Sequence, residues 1–494
     1  MIETLAGAEK LHGRALRAGI REACSRGELV LVSSTEAAPS TSPLDLYKRG
    51  RSLDSRLFYW ERPDDGFALI GIGVARSLTT HAEARFEEAA RAWRALLDGA
   101  LVENGSPNAV GTGPVAVGGF SFDPLRPRTA LWDGFPSGRL NIPRYMFTAG
   151  VDSCRLTVNT VVNSASDPQA EADRLAADLQ VLRTTGPSDL GWSRAQSSRL
   201  RAQGHSEGTR LKAQSSSLRS AESWKALVAT ARDAIRQGQI EKTVLARAVR
   251  AVNPAVCDPA VALTRLREEL PGPVAGYPGC SLFAVSNQGA TFLGATPERL
   301  VRLQNGTVQV DCLAGTIGRG ESEEQDRQFG TALLESPKER SEHEVVLRML
   351  EAKLAARCTE LRIPPEPALV KLRNVQHLYT PIVGRLLNGH SVLSLVEELH
   401  PSPAVGGFPV DAAQRFIRER EELDRGWYAG PIGWLDRSGE GEFAVAIRSA
   451  LIRGSEATLF AGCGIMADSD PDGEYEESCL KLRSMLGILG GPPE

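Results

Sequence analysis

Strand-length apolar runs follow one another in this chain without the intervening helix that a parallel crossover needs. Runs near 281–286 and 291–294 lie a few residues apart, as do those near 428–436, 442–453 and 457–461. Links that short join antiparallel neighbours, because a parallel pair needs a crossover of about a dozen residues or more. Amphipathic helical patterns are also present, near 222–237, 325–358, 391–398 and 474–487. The mixture predicts an α+β fold on antiparallel sheets, not strict βαβ alternation. No short-period repeat points to a solenoid.

Residues 1–185 carry comparable signals. Strands are expected at 67–74, 115–122 and 155–162, and helices at 80–99 and 168–184. From 186 to 222 the composition shifts to Ser, Arg, Gln and Gly with little periodicity, which reads as a polar linker or loop. Regular patterning then resumes over 223–488. An N-terminal half and a C-terminal catalytic region are expected to pack as one compact domain.

Composition removes several classes of function. A formal net charge of −4 over 494 residues supplies no global basic field for nucleic acid or anionic lipid. No apolar run reaches the roughly 18 residues of a membrane span, and no signal peptide is evident at Met1-Ile2-Glu3-Thr4. The eight cysteines are scattered, as expected of a cytoplasmic protein. There is no Walker A sequence, Gly71-Ile72-Gly73 lacks the third glycine of a dinucleotide fingerprint, and no histidine pair has zincin spacing. Monomer is the plainer expectation for assembly.

Two glutamate pairs spaced i, i+3 stand out instead. Glu339 and Glu342 open one helical pattern, and Glu474 and Glu477 open another about 130 residues later. All-oxygen ligands from two helices suit Mg²⁺, although each pair alone is commonly a solvated helix face. Lys242 shares strand parity with Ile240, Val244, Ala246 and Ala248, the more apolar side. An inward lysine loses hydration, which favours a neutral amine able to act as a base; an edge-strand gatekeeper is the ordinary alternative. Thr296-Pro297-Glu298 resembles a capped helix start, yet a carboxyl just after a strand end also suits a general acid. Arg448 is flanked along its strand face by Ala444, Ala446 and Ala450, leaving room for a bound carboxylate or for a structural ion pair. Ala461-Gly462-Cys463-Gly464-Ile465 reads as a small-residue loop whose N–H groups suit an anion.

In order, these segments resemble the chorismate-utilising enzyme family, and within it the isochorismate-forming branch. Seven motifs carry the resemblance: EKTVLAR (241–247), GATPERL (294–300), LAGTIGRG (313–320), SPKERSEHEVV (336–346), VQHLYTPI (375–382), LHPSPAVGGFP (399–409) with DRGWYAGPIGW (424–434), and AGCGIMADSDPDGEYEESCLK (461–481). It is strong over 223–488. Phe120-Ser121-Phe122-Asp123-Pro124 and Trp132-Asp133-Gly134-Phe135-Pro136 extend it more weakly into the N-terminal half.

The resemblance implies a large two-sheet sandwich of pseudo-symmetric halves with flanking helices and the active site between the sheets. It implies Mg²⁺ on Glu342 and Glu477, with Glu339 and Glu474 nearby, holding the ring carboxylate of the small-molecule substrate chorismate. Arg448, Tyr428 and Lys481, with backbone N–H groups at Gly462, Gly464 and around Gly315-Thr316, would hold the substrate carboxylates. His377 would lie near the ring and the departing hydroxyl. Lys242, which ammonia-adding members normally lack, and the small Ala314 both match members that add water. The implied reaction has Lys242 as general base and Glu298 as general acid. A salicylate-forming member is the alternative, and a non-catalytic metabolite binder is a third reading. Cys463 occupies a position where alanine is common in the family, which suggests sensitivity to thiol reagents.

Overall fold

Strand pairing in the computed structural model forms, among the described residues, two sheets of thirteen and ten strands. The structure describes residues 2–104, 109–151, 153–183, 214–217, 220–253, 256–270, 279–372, 375–387 and 389–489. Among these, all pairings are antiparallel except that of Val30–Ala38 with Leu101–Asn104. The short connections between consecutive apolar runs thus do what their length requires.

Each sheet contains one block of strands from either half of the chain. In the larger sheet the blocks join where Leu57–Arg62 pairs with Ser281–Asn287, and in the smaller where Val115–Phe120 pairs with Pro431–Asp436. The facing surfaces share a core that includes Trp60, Phe120, Phe283, Phe292, Leu303 and Phe443. Helices Pro168–Arg183, Pro259–Glu268 and Pro471–Ile488 cover the larger sheet, burying Leu179, Leu263 and Leu482. Alternation of side chains across each strand lets one face enter the sandwich and the other meet helices.

Two crossings between the sheets build the site, and both differ from the sequence expectation. Residues 442–453 form not one strand but two, Gly441–Val445 in the smaller sheet and Ser449–Arg453 in the larger. Arg448, at φ 51°, sits in the turn between them. Thr296-Pro297-Glu298 likewise starts no helix: Ala290–Thr296 belongs to the larger sheet and Arg299–Gln304 to the smaller. The crossings run side by side, with Val445 N–H donating to Glu298 O (3.0 Å) and Ala295 N–H to Arg448 O (3.1 Å). Thr296 Oγ1 accepts from Glu298 N–H (3.2 Å), as a cap would, and donates to Val445 O (2.6 Å), which ties it to the neighbouring crossing although no helix follows.

Two further boundaries moved. The helical pattern at 325–358 is broken into Glu323–Glu335 and Pro337–Ala355 at Ser336, whose side chain caps Glu339 N–H ahead of a proline at the first position. Residues 461–465 continue the strand Glu456–Ile465 and form no loop. Of the linker expected at 186–222, residues 186–213 and 218–219 lie outside the described residues, while Gln214–Ser217 pairs with Val249–Val252.

Candidate active site

A cavity opens where the two crossings leave the larger sheet. Strand Ser449–Arg453 pairs with Glu456–Ile465 only over 450–453 and 456–459, so beyond Leu459 the latter has a free edge. Its other edge follows Lys242–Val252, with Val244 opposite Gly464 and Ala246 opposite Gly462. Val244 N–H and Ala246 N–H bond elsewhere, to Gly406 O and the Glu421 carboxylate. These are therefore non-hydrogen-bonded pairs, and the N–H groups of Gly462 and Gly464 point toward the open edge. The N–H groups singled out as suited to an anion thus face the open edge, but a strand presents them.

Glycine at 464 leaves the space that the Glu342–Lys242 pair occupies. A Cβ there would lie 2.3 Å from Glu342 Oε1 and 3.2 Å from Lys242 Cε. Gly315, at φ 81°, makes a bulge in the strand Thr307–Gly318, and a Cβ there would approach the Glu339 carbonyl to 3.1 Å. The bulge turns Thr316 N–H onto Glu339 Oε2 (2.8 Å), so this N–H serves the glutamate and is not free for substrate.

The cavity wall includes Glu298, Ala314, Gly315, Thr316, Glu342, His377, Tyr428, Arg448, Gly462, Gly464, Glu477 and Lys481. Lys242 is fully buried behind that wall, its Nζ 2.8 Å from Glu342 Oε1. Full burial rules out the edge gatekeeper. Burial pushes the Glu298 carboxyl up to about 8 against the opposing pull of Lys242. A carboxyl of this kind holds its proton at neutral pH. Burial also drives His377 down to about 3, with Arg448 adding to the effect. Its neutral ring is held at Nδ1 by Gly315 O (3.3 Å) and Thr316 Oγ1 (3.0 Å), and Nε2 has no hydrogen-bond partner among the described residues.

Arg448 is the conspicuous cation. No group among the described residues pairs with its guanidinium, and burial lowers its proton affinity below the usual arginine range. The structural ion pair considered for it is absent among those residues. Tyr428 stacks on Phe460 at 5.0 Å, its hydroxyl pushed up to about 12 by burial. Lys481 is occupied, with Nζ 2.5 Å from Glu477 Oε1 and donating to Gly462 O (2.9 Å).

The four glutamates come to one end of the cavity from two helices, but not as one tight set. Ligand atoms within 4.8 Å of one another belong to Cys463, Glu474 and Glu477. Glu342 is drawn to Lys242 and Glu339 to Thr316 N–H. Lys338 Nζ bridges the helices, 3.5 Å from Glu339 and 3.3 Å from Glu474. Burial raises both Glu474, to about 7, and Glu339, with added repulsion from Glu477 and Glu342 respectively. For Glu342 burial acts upward too, but Lys242, together with Lys481 and Lys338, outweighs it and the carboxyl falls below its ordinary value. Four carboxylates face only three ammonium groups, and the surplus negative charge on oxygen ligands suits a hard divalent cation. The solvated-face alternative fails for Glu474, which is 4% exposed.

Cys463 departs from expectation. Its side chain packs with Trp224 and Leu245, Sγ points to Glu474 O (3.3 Å), and burial holds the thiol well above its ordinary value. Such a thiol resists thiol reagents.

Arg425, Ser402 and Val405 were not singled out from sequence, though they lie within the quoted motifs. Arg425 and Val405 line the cavity, and Ser402 lies close enough to Glu298 to oppose the rise of its carboxyl. Support also comes from the N-terminal half. Trp132 stacks on Phe460 at 5.6 Å, and Phe122 N–H donates to Gly426 O.

The chorismate binding enzyme family matches residues 18–490. Isochorismate synthase MenF of Bacillus subtilis is 37% identical over 94% of both chains. The salicylate biosynthesis isochorismate synthase of Pseudomonas aeruginosa is 36% identical over 94% of this chain and 92% of its own. Among solved structures, MenF, the menaquinone-specific isochorismate synthase from Escherichia coli, superposes with a TM-score of 0.73 over 96% of this chain and all of that one, at 24% identity, and so shares the fold. Anthranilate synthase component I from Streptococcus pneumoniae shares it too, with a TM-score of 0.65 over 85% of this chain and 92% of its own. On this match, from residue 18 to residue 490, the chain belongs to the chorismate-binding enzymes.

Proposed function

We propose that this enzyme converts chorismate to isochorismate with Mg²⁺, as a cytoplasmic monomer. The observation that carries the reading is the pairing, in one cavity, of a carboxyl held protonated at Glu298 with a half-buried Arg448 that has no hydrogen-bond or ion-pair partner among the described residues. An acid with its proton in place and a cation lacking a counter-ion suit a dicarboxylate whose hydroxyl must leave as water. Relatives named isochorismate synthase support the choice, as does Ala314 on the wall, where a small side chain leaves room for water.

In this reading Arg448, Tyr428 and the N–H groups of Gly462 and Gly464 orient the substrate carboxylates. Glu342 and Glu477, with Glu339 and Glu474 beside them, would hold Mg²⁺. When bound, the ion neutralises and orients the ring carboxylate. Lys242 removes a proton from water as the water oxygen bonds to ring C2. The double-bond electrons shift, the C4–O bond breaks, and Glu298 donates its proton so that the hydroxyl departs as water. Solvent then returns the proton balance, leaving an isomer. Lys242 is paired with Glu342 here, so its role as base requires that carboxylate to turn to another cation. His377 Nε2, an unprotonated acceptor, suits a hydrogen bond from the substrate hydroxyl.

Incubation with chorismate and Mg²⁺ followed by chromatography tests the reading. Isochorismate is the expected main product. Salicylate plus pyruvate would assign the salicylate-forming alternative, and unchanged chorismate the non-catalytic binder.

A further inference from the structure

We propose that Glu421 and Arg425 act together as a surrogate strand, positioning the segment that carries Lys242. Strand Lys242–Val252 has a full-length neighbour on one edge only. On the other, Gly407–Phe408 pairs with Lys242–Thr243 and Gln214–Ser217 with Val249–Val252. Between these patches the edge is covered by no strand among the described residues, although it is deeply buried. Buried backbone N–H and C=O groups have to be satisfied, and here side chains do it.

Arg425 Nη2 donates to Val244 O (2.7 Å), and Ala246 N–H donates to Glu421 Oε2 (2.8 Å). A donor and an acceptor are thus offered at the two-residue spacing of a β-ladder. The two side chains are locked to each other, Arg425 Nε to Glu421 Oε1 at 2.7 Å and Nη2 to Oε2 at 2.5 Å. Arg425 Nη1 also donates to Val405 O (3.0 Å), and the guanidinium lies 4.3 Å over the Phe122 ring. Both residues are 3% exposed. One ion pair therefore ties together the strand behind the base, the 402–406 turn and the start of the 425–431 segment.

A buried ion pair is often no more stabilising than apolar side chains of the same volume. Geometry gives this one a use. Val244, Ala246 and Val405 face the cavity, and Lys242 lies two residues before Val244 on the same strand face. Arg425 differs from Arg448 in having its fork spent on protein oxygens, so it acts through the backbone it holds and is a positioning residue. The proposal rests on the reading of Lys242 as base.

Arg425→Lys keeps the charge but loses the fork that reaches Val244 and Val405 together. Kinetics on Arg425→Lys and Glu421→Gln are combined with hydrogen exchange of peptides covering 243–248, at a temperature where both variants are folded. For Arg425→Lys we expect kcat for isochorismate formation to fall about 10-fold or more while KM moves less than about 3-fold, the signature of a displaced base. Amide exchange at 243–248 should quicken, and Glu421→Gln, which keeps an acceptor for Ala246 N–H, should recover part of both effects. An unchanged kcat, a rise in KM alone, or unchanged exchange would each overturn the proposal. If Arg425→Lys does not fold, Glu421→Gln carries the same comparison with smaller expected shifts. Absence of isochorismate from the wild-type enzyme would refute the functional reading instead, leaving the exchange measurement to judge the clamp.

Discussion

The two halves of the chain share both sheets yet divide the work unequally. Every residue lining the cavity comes from the C-terminal half, beginning at Val244. The N-terminal half meets the site only from behind. Trp132 stacks on Phe460, its indole N–H donates to Asp424 O (2.9 Å), and Trp427 donates to Pro136 O (2.7 Å). Chemistry is concentrated in one half, and the rigidity of its wall is supplied by the other. That division explains why the family motifs are dense after residue 223 and sparse before it.

Variants on either side can sharpen or break this contrast. The largest effect on turnover is expected for Lys242→Ala, a loss of at least about 100-fold with chorismate binding largely retained. Near-normal activity would remove Lys242 as the base. Trp132→Ala should act oppositely, destabilising the fold by about 3–5 kcal/mol in denaturant melts, because a large buried ring is replaced by a cavity. If that variant kept its stability but lost turnover, the N-terminal half would have a more direct role than support.

Glu477→Ala should raise the Mg²⁺ concentration needed for activity, and weaken Mg²⁺ binding in calorimetry. An unchanged metal requirement would reject that ligand. The smallest effect is a pH dependence at Glu298. Its folded value of about 8 lies above the ordinary 4.5, so the folded state binds the proton more tightly. The stability this contributes is complete below pH about 4.5 and is lost as pH rises toward and past about 8. Glu298→Gln should therefore gain stability relative to wild type across that window, and wild-type activity should fall on the alkaline side as the acid loses its proton. Parallel melting curves from pH 5 to 9 would contradict the burial argument.

Legibility in the sequence followed the range of the interactions. The helical pattern of the last helix, the buried strand at 115–122 and the antiparallel links were readable because period and connection length are local properties. Arg448 was placed on an uninterrupted strand, and Glu298 at a helix start, because a strand changing sheets looks locally like a continuous strand or a capped turn. Nothing near Thr296 signals that its hydroxyl will meet Val445 O across the sandwich. Arg425 went unnoticed for a similar reason: its partners at Val244 and Val405 lie 181 and 20 residues away.

By itself, then, the sequence determined the fold class, the family and the residue types of the site, since patterning and motif order are written along the chain. Tertiary structure decided which of those residues are paired and which are left open. It closed Arg425 onto backbone oxygens, left Arg448 without an ion pair among the described residues, and placed Lys242 against Glu342. Those outcomes depend on burial and on charges brought close in space from distant segments. Both are properties of packing that no local pattern encodes.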